Sequence, residues 1–362
     1  MPVSKPAAPA RAVIRSTAEF ARYVGLARTT VSRVLNGKPG LKPKTIAKVQ
    51  RAIEETGFTP NAYALHLKGK RTATIGICIE NLLTPPALLK LAGLQQKLRE
   101  RNYASLIEVV EPGGSRRTVR HFLSMRVDAI AFIGHFVEEE IAQRIHELRT
   151  HETPHLIIDQ VGVPGANAVA LDRADGMRQL FAYLLAQRHR SFGLIGFTSM
   201  ARSVRDRLAG ITSALAAENL TLPEATRSLD HLHARENDFE FGRAVARSFI
   251  ETSSLPTALV ALNDEIAIGA LQACREAKLE VPRDVSVAGF NNQDVCLMTT
   301  PQLTSLDQQV PNTVDAAINL LLPQIGRPLR ARPLVQTISP LLVIRESTGP
   351  APTLNGRPRR PA

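Results

Sequence analysis

Ala18-Glu19-Phe20-Ala21-Arg22-Tyr23-Val24-Gly25-Leu26-Ala27-Arg28-Thr29-Thr30-Val31-Ser32-Arg33-Val34-Leu35-Asn36 reads as two short helices broken by one glycine. Phe20, Ala21 and Val24, then Leu26, Val31, Val34 and Leu35, recur at helical spacing, so each helix has one face to bury against the other. Gly25 supplies the turn. Ser16 and Glu19 have the spacing of a capping box, which starts the first helix near Thr17. The outward face of the second helix carries Arg28, Thr29, Thr30, Ser32, Arg33 and Asn36. These hydroxyl, amide and guanidinium groups suit phosphates and base edges. The arrangement is a helix-turn-helix with its recognition helix second.

A third helix starts at Pro43, with Ile46, Val49 and Ile53 as its buried stripe and Lys42, Lys44 and Lys48 placed to meet phosphate. The charge distribution agrees. Of a net +12, residues 1–71 hold 14 Lys and Arg against 3 Asp and Glu, while the other 31 and 30 nearly cancel. A local basic patch ahead of a neutral domain is what phosphate neutralisation calls for. Residues 61–69 are too short for a stable helix alone, because nucleation costs more than two turns of hydrogen bonds return. Residues 1–14, rich in proline and alanine, read as a disordered arm. Gly349 to Ala362 reads as a disordered tail.

From Thr72 onward apolar runs alternate with helical stretches. Strands are expected at 74–80, 104–110, 129–133, 155–159, 193–197, 258–261 and 285–290, and helices at 88–101, 138–149, 176–187, 207–218, 241–250 and 266–278. That is a series of βα units, which makes parallel sheets covered by helices on both faces. The chain, at 362 residues, is long enough for two or three folding units. Cys78, Cys274 and Cys296 lie far apart and fit neither a zinc site nor a disulfide framework, so a reducing cytoplasm is expected. No signal peptide or apolar run of membrane-spanning length is read.

The run from Thr30 to Gly37, followed by Thr45, by Ile53-Glu54-Glu55-Thr56-Gly57-Phe58-Thr59-Pro60-Asn61 and by Leu67-Lys68, resembles the DNA-binding headpiece of the lactose-repressor (LacI/GalR) family. The resemblance implies a small all-α headpiece at 15–60, a hinge helix at 61–71, and a two-lobed α/β core at 72–348 similar to periplasmic sugar-binding proteins. The lobes are expected at 72–167 with 295–326, and at 168–294 with 327–346. Base readout falls to Arg28 and Thr29. Ser16, Thr30, Ser32, Arg33, Asn36 and Lys44 join the DNA surface, and Asn61, Ala64, Leu67 and Lys68 join it from the hinge, with Leu67 as a minor-groove wedge.

In open α/β sheets ligands lie beyond the carboxyl ends of the strands. That rule picks out Asn81 to Thr84 (Leu83 among them), His135, Asp159, the loop 199–207 with Arg207, Asn263-Asp264, Asn291-Asn292 and Gln308 as effector contacts. Three departures from the family stand out. Asn291 replaces a usual aspartate, Thr84-Pro85-Pro86-Ala87 replaces Asn-Pro-Phe-Phe and removes the aromatic platform, and Asp159-Gln160 lacks the usual arginine. In the headpiece Ala27 replaces a capping serine. Loss of a carboxylate beside Arg207, with Arg202 and Arg205 near in sequence, favours an anionic ligand such as a sugar acid or phosphate.

The expected function is a ligand-responsive repressor that binds a palindromic operator as a homodimer, with a carbohydrate or sugar acid in the inter-lobe cleft. No metal and no cofactor is expected. Two rivals are a sugar-transport solute-binding protein and a cleft enzyme with an appended DNA-binding domain. Absence of Gly-x-Ser-x-Gly and Gly-x-Gly-x-x-Gly runs weighs against the second.

Overall fold

The computed structural model describes residues 14, 16–35, 39–58, 71–82, 84–111, 113–199, 201–235, 237–251 and 255–352. Asn36, Asn61, Ala64, Leu67, Lys68 and Leu83 lie outside the described residues, as do the expected hinge except Arg71 and most of the expected arm.

Three helices form the headpiece: α1 (Thr17–Val24), α2 (Arg28–Leu35) and α3 (Pro43–Thr56). Ser16 caps α1 by accepting the Glu19 amide at 3.1 Å. At the other end the Leu26 amide donates to Ala21 O and the Gly25 amide to Arg22 O, with Gly25 at φ +65°. That paired closure needs a left-handed residue, which explains the glycine. Phe20, Ala21, Val24, Val31, Val49, Ala52 and Phe58 are buried together, with the Phe20 and Phe58 rings stacked at 4.2 Å. Ile46 and Ile53 are only half-buried, because Phe58, arriving after α3, fills the space beside Phe20.

The core has two six-stranded sheets. The first contains β1 (Thr74–Ile79), β2 (Ala104–Val109), β3 (Ala129–Ile133), β4 (His155–Ile158), β5 (Asn167–Leu171) and β11 (Val335–Ile338), in the order β11-β5-β4-β3-β1-β2 and parallel throughout. The second contains β6 (Phe192–Ile195), β7 (Thr226–Arg227), β8 (Ala258–Ala261), β9 (Ser286–Asn291), β10 (Thr304–Asp307) and β12 (Leu341–Val343), in the order β12-β10-β9-β8-β6-β7. There β12 alone runs antiparallel. Helices α4 (Pro85–Glu100), α5 (Ser115–Ser124), α6 (Glu138–Thr150) and α12 (Val310–Leu321) pack on the first sheet. Helices α7 (Arg173–Ala186), α8 (Arg202–Ala216), α9 (Leu222–Ala225), α10 (Asp238–Glu251) and α11 (Asp264–Glu276) pack on the second.

The expected lobe boundaries need correction. The chain passes between sheets at residue 172, at 308–309 and at 339–340, not at 167/168, 294/295 and 326/327. Residues 168–171 stay in the first sheet because β5 pairs with β4 and β11, and 295–307 stay in the second because β10 pairs with β9. The tail also begins later than 349. His189 Nε2 bonds Gly349 O at 2.9 Å and the Ala351 amide donates to Gln187 O at 2.8 Å, fixing this stretch to the end of α7.

The structure adds α5, α9, α12, β5, β7, β10, β11 and β12 to the expected segments. Strand β10 reads Thr-Ser-Leu-Asp, too polar for a core strand, yet Thr304 and Ser305 are fully buried. Their hydroxyls are satisfied by Thr348 Oγ1 and the Asp264 carboxylate. No helix among the described residues is long and apolar enough to cross a membrane.

Helices α10 and α11 touch backbone to backbone, and a Cβ on Gly269 would stand 2.1 Å from Phe239 O. Overpacking of this kind costs about 1–3 kcal/mol. Gly269→Ala is therefore expected to lower the thermal and urea midpoints of the second lobe; an unchanged midpoint would show that the two helices separate freely.

Candidate functional site: the inter-lobe cleft and the headpiece helix

Strands of both sheets end at a common cleft of about 440 Å³. Lobe one contributes Asn81, His135, Asp159 and Lys90; lobe two contributes Arg207, Asn263 and Asn291; Arg173 and Gln308 come from the crossing segments. Asn81, Thr84, His135, Asp159, Arg207, Asn263, Asn291 and Gln308 therefore line one space, whereas Leu82, Asp264 and Asn292 do not. Arg205 does not line it, and Arg202 reaches across it instead, donating from Nη1 to Val161 O at 2.7 Å.

At the centre sits a buried charge cluster. Lys90 Nζ donates to both Asp159 carboxylate oxygens, at 2.7 and 2.6 Å, and to Gln308 Oε1 at 3.0 Å. Gln308 Nε2 donates in turn to Asn291 Oδ1 at 2.6 Å, so one chain of hydrogen bonds runs from α4 to the end of β9. Arg173 Nη2 lies 3.4 Å from Asp159 Oδ1. Asp159 sits at φ +81° and Asn291 at φ +123°, left-handed backbone that these two short polar residues tolerate better than most. Burial alone would raise the Asp159 carboxyl, but Lys90 and Arg173 outweigh it and hold it down at about 2.

Arg207 has no carboxylate partner within ion-pairing distance among the described residues. Its Nη1 donates to Ser203 O within its own helix, and its guanidinium lies over the Phe290 ring at 4.1 Å. Burial, then the charge of Arg173, pulls its pKa down to about 9.

Lys90 and Arg173 were not expected from strand ends, because both stand on helices. A signal for Lys90 exists in the sequence: it falls on the stripe of Ala87, Leu91, Leu94 and Leu98, where an apolar side chain belongs. A His-Glu-x-x-His run is also present at His151-Glu152-Thr153-Pro154-His155. It bridges the end of α6 and β4 instead of lying on one helix, and His155 is buried with its ring nitrogens bonded to Thr153 O and Gly165 O. No group of residues that could hold a metal occurs among the described residues.

In the headpiece, Arg28 and Thr29 are exposed at the amino end of α2, with Thr30 and Ser32 half-buried beside them and Lys44 exposed on α3. Arg33 is exposed but spends one donor on Pro39 O at 3.0 Å, bracing the following turn. The Ser16 hydroxyl is already used as the cap of α1. Ala27 precedes α2 without a side chain able to cap it.

Burial, then Arg173, pushes His135 down to about 4, and burial also lowers His155 and His189. The unfolded chain, with histidines near 6.5, binds more protons than the folded one between those values, so stability falls as pH drops from 6.5 toward 4. His135→Gln should flatten that slope in urea unfolding at a series of pH values. An identical slope would mean that the imidazole is not held neutral by the cleft.

Two family models match the chain: Bacterial regulatory proteins, lacI family, over residues 18–61, and a periplasmic binding protein-like domain over residues 181–348. Catabolite control protein A of Staphylococcus epidermidis is 30% identical over 307 residues, 84% of this chain and 90% of that protein. The HTH-type transcriptional regulator MalR of Streptomyces coelicolor is 30% identical over 354 residues, 94% and 98% of the two chains. Among solved structures, the lac repressor dimer bound to operator and the anti-inducer ONPF has a TM-score of 0.77 at 24% identity, covering 91% of this chain and 98% of that one, a likeness of fold. With a helix-turn-helix headpiece ahead of two lobes around a cleft, and relatives alike over most of their length, the chain belongs to the lacI family of bacterial DNA-binding transcriptional regulators.

Proposed function

We propose that this regulator is a homodimeric repressor whose affinity for a palindromic operator is set by a small carbohydrate-like or sugar-acid molecule in the inter-lobe cleft. The observation that carries this reading is that one polar cleft is lined by both lobes and by two of the segments that cross between them. A molecule there touches both bodies, so its affinity depends on how far they are closed. Only such a difference in affinity between states can shift an equilibrium.

The linker from the headpiece is held on lobe one. The Thr72 and Ala73 amides donate to the Asp128 carboxylate at 2.8 and 2.9 Å, and Arg71 Nη2 donates to Ile325 O at 3.1 Å. This anchor stands at the amino end of β1, about 20 Å of strand away from the cleft. The effector signal therefore passes as a rigid-body movement of lobe one relative to its dimer mate, which changes the spacing of the two hinges. Exposed Leu88, Leu89 and Val109 on lobe one, and Leu297, Met298 and Leu341 on lobe two, supply apolar surface for that dimer.

Two headpieces on adjacent major grooves would place Arg28 and Thr29 against base edges, and Lys44 against phosphate. With an operator selected from a random library, Arg28→Ala should lose about 1–3 kcal/mol on that operator and little on random DNA. Lys44→Ala should weaken both alike and reduce the salt slope by about one. Equal loss on both DNAs for Arg28→Ala would overturn its role. A monomeric sedimentation coefficient for the operator-bound protein would overturn the dimer.

A further inference from the structure

Four charged side chains at the cleft floor are each more than nine-tenths buried: Lys90 at 1% exposure, Arg173 at 6%, Arg207 at 7% and Asp159 at 8%. Three are cations and one is an anion. Lys90 takes both oxygens of Asp159 at 2.7 and 2.6 Å, and Arg173 is left with a longer 3.4 Å contact to one of them. The Nε–H groups of Arg173 and of Arg207 are buried without any hydrogen-bond partner among the described residues. Asp206 offsets the charge of Arg207 in part without pairing with it. Three further acids line the outer part of the cavity: Asp238 is held by Arg235 and Asn263, Glu80 accepts the His135 amide at 3.1 Å, and Glu265 stands beside Asp238.

The four buried side chains thus carry an excess of about two positive charges, and buried charge without a close partner is costly unless something compensates it. Both arginines line the cavity, and each has an unused donor. Guanidinium forks match the paired oxygens of a carboxylate or phosphate, and a phosphate ester carries about −1.5 to −2 near neutral pH. A neutral sugar could accept the two hydrogen bonds but would leave both charges uncompensated. Amides at Asn81, Asn263 and Gln293 line the remainder of the cavity and suit hydroxyl groups.

We propose that the effector of this regulator is a hydroxylated molecule with a dianionic end, a phosphate ester or a pair of carboxylates, held by Arg173 and Arg207. The inference rests on the cleft being the effector site. It also implies that the two arginines are kept at the expense of stability in the empty protein.

The test titrates the full-length chain, by thermal midpoint and by calorimetry at matched ionic strength, with glucose, gluconate, glucarate, glucose 6-phosphate and inorganic phosphate. Glucarate or glucose 6-phosphate is expected to bind about tenfold or more tightly than glucose and gluconate. Which of the two binds tells paired carboxylates from phosphate. Arg173→Gln and Arg207→Met should each weaken that binding about tenfold or more, while the ligand-free midpoint holds or rises because an uncompensated charge is gone. Glucose binding as tightly as both dianions, dianion binding untouched by both substitutions, a lower ligand-free midpoint in both variants, or no stabilisation by any dianion would each overturn the proposal. Operator affinity separates the two levels. If glucose binds and shifts DNA affinity, the dianion falls and the effector cleft stands; if a dianion binds through both arginines with no change in DNA affinity, the effector cleft falls and the dianion stands.

Discussion

Three cations gathered around the single carboxylate of Asp159 set the terms for the rest of the core. Buried like charges repel strongly where water cannot screen them, so the cluster holds only because each member is placed by a different element. Asp159 comes from the end of β4, Lys90 from α4, Arg173 from the start of α7, and Arg207 from the first turns of α8. Asp172 caps α7 by accepting the Asp175 amide at 2.8 Å, fixing the backbone that carries Arg173. Around the other side, Gln308 links Lys90 to Asn291 just where the chain crosses between lobes. The junction of the lobes and the electrostatics of the cleft are therefore one problem.

Much of this was legible in the sequence, for physical reasons that differ by region. The headpiece follows from local rules: a capping serine, a turn that only a left-handed glycine closes well, and apolar residues at helical spacing. The βα alternation gave the two sheets, since strands buried on both faces read as continuous apolar runs. Strand ends then located Asn81, His135, Asp159, Arg207, Asn263, Asn291 and Gln308 on one cleft.

What stayed hidden depended on long-range pairing. The crossing at 339–340 follows from β11 pairing with β5, more than a hundred residues earlier, and no local pattern records such a partner; those at 172 and 308–309 follow from β5 and β10, which were not expected as strands. Strand β10 was masked by its hydroxyls, which Asp264, Thr348 and the amides of Asn292 and Arg345 make tolerable in a core. Arg173 was not singled out, since nothing around it in sequence marks it as buried. Lys90 could have been found. A lysine on the apolar stripe of a helix is expensive unless a carboxylate waits for it, and Asp159 was already in view.

In the proposed function the cleft and the DNA surface are coupled through lobe one. Coupling of this kind is reciprocal, so a molecule that changes DNA affinity must itself be bound with an affinity that DNA changes by the same factor. The decisive measurement is the calorimetric affinity of the most stabilising cleft ligand for the free protein and for the protein saturated with its selected operator. Two different dissociation constants are expected, with a ratio equal to the shift in operator affinity caused by that ligand. Identical constants in the two states would contradict the coupling.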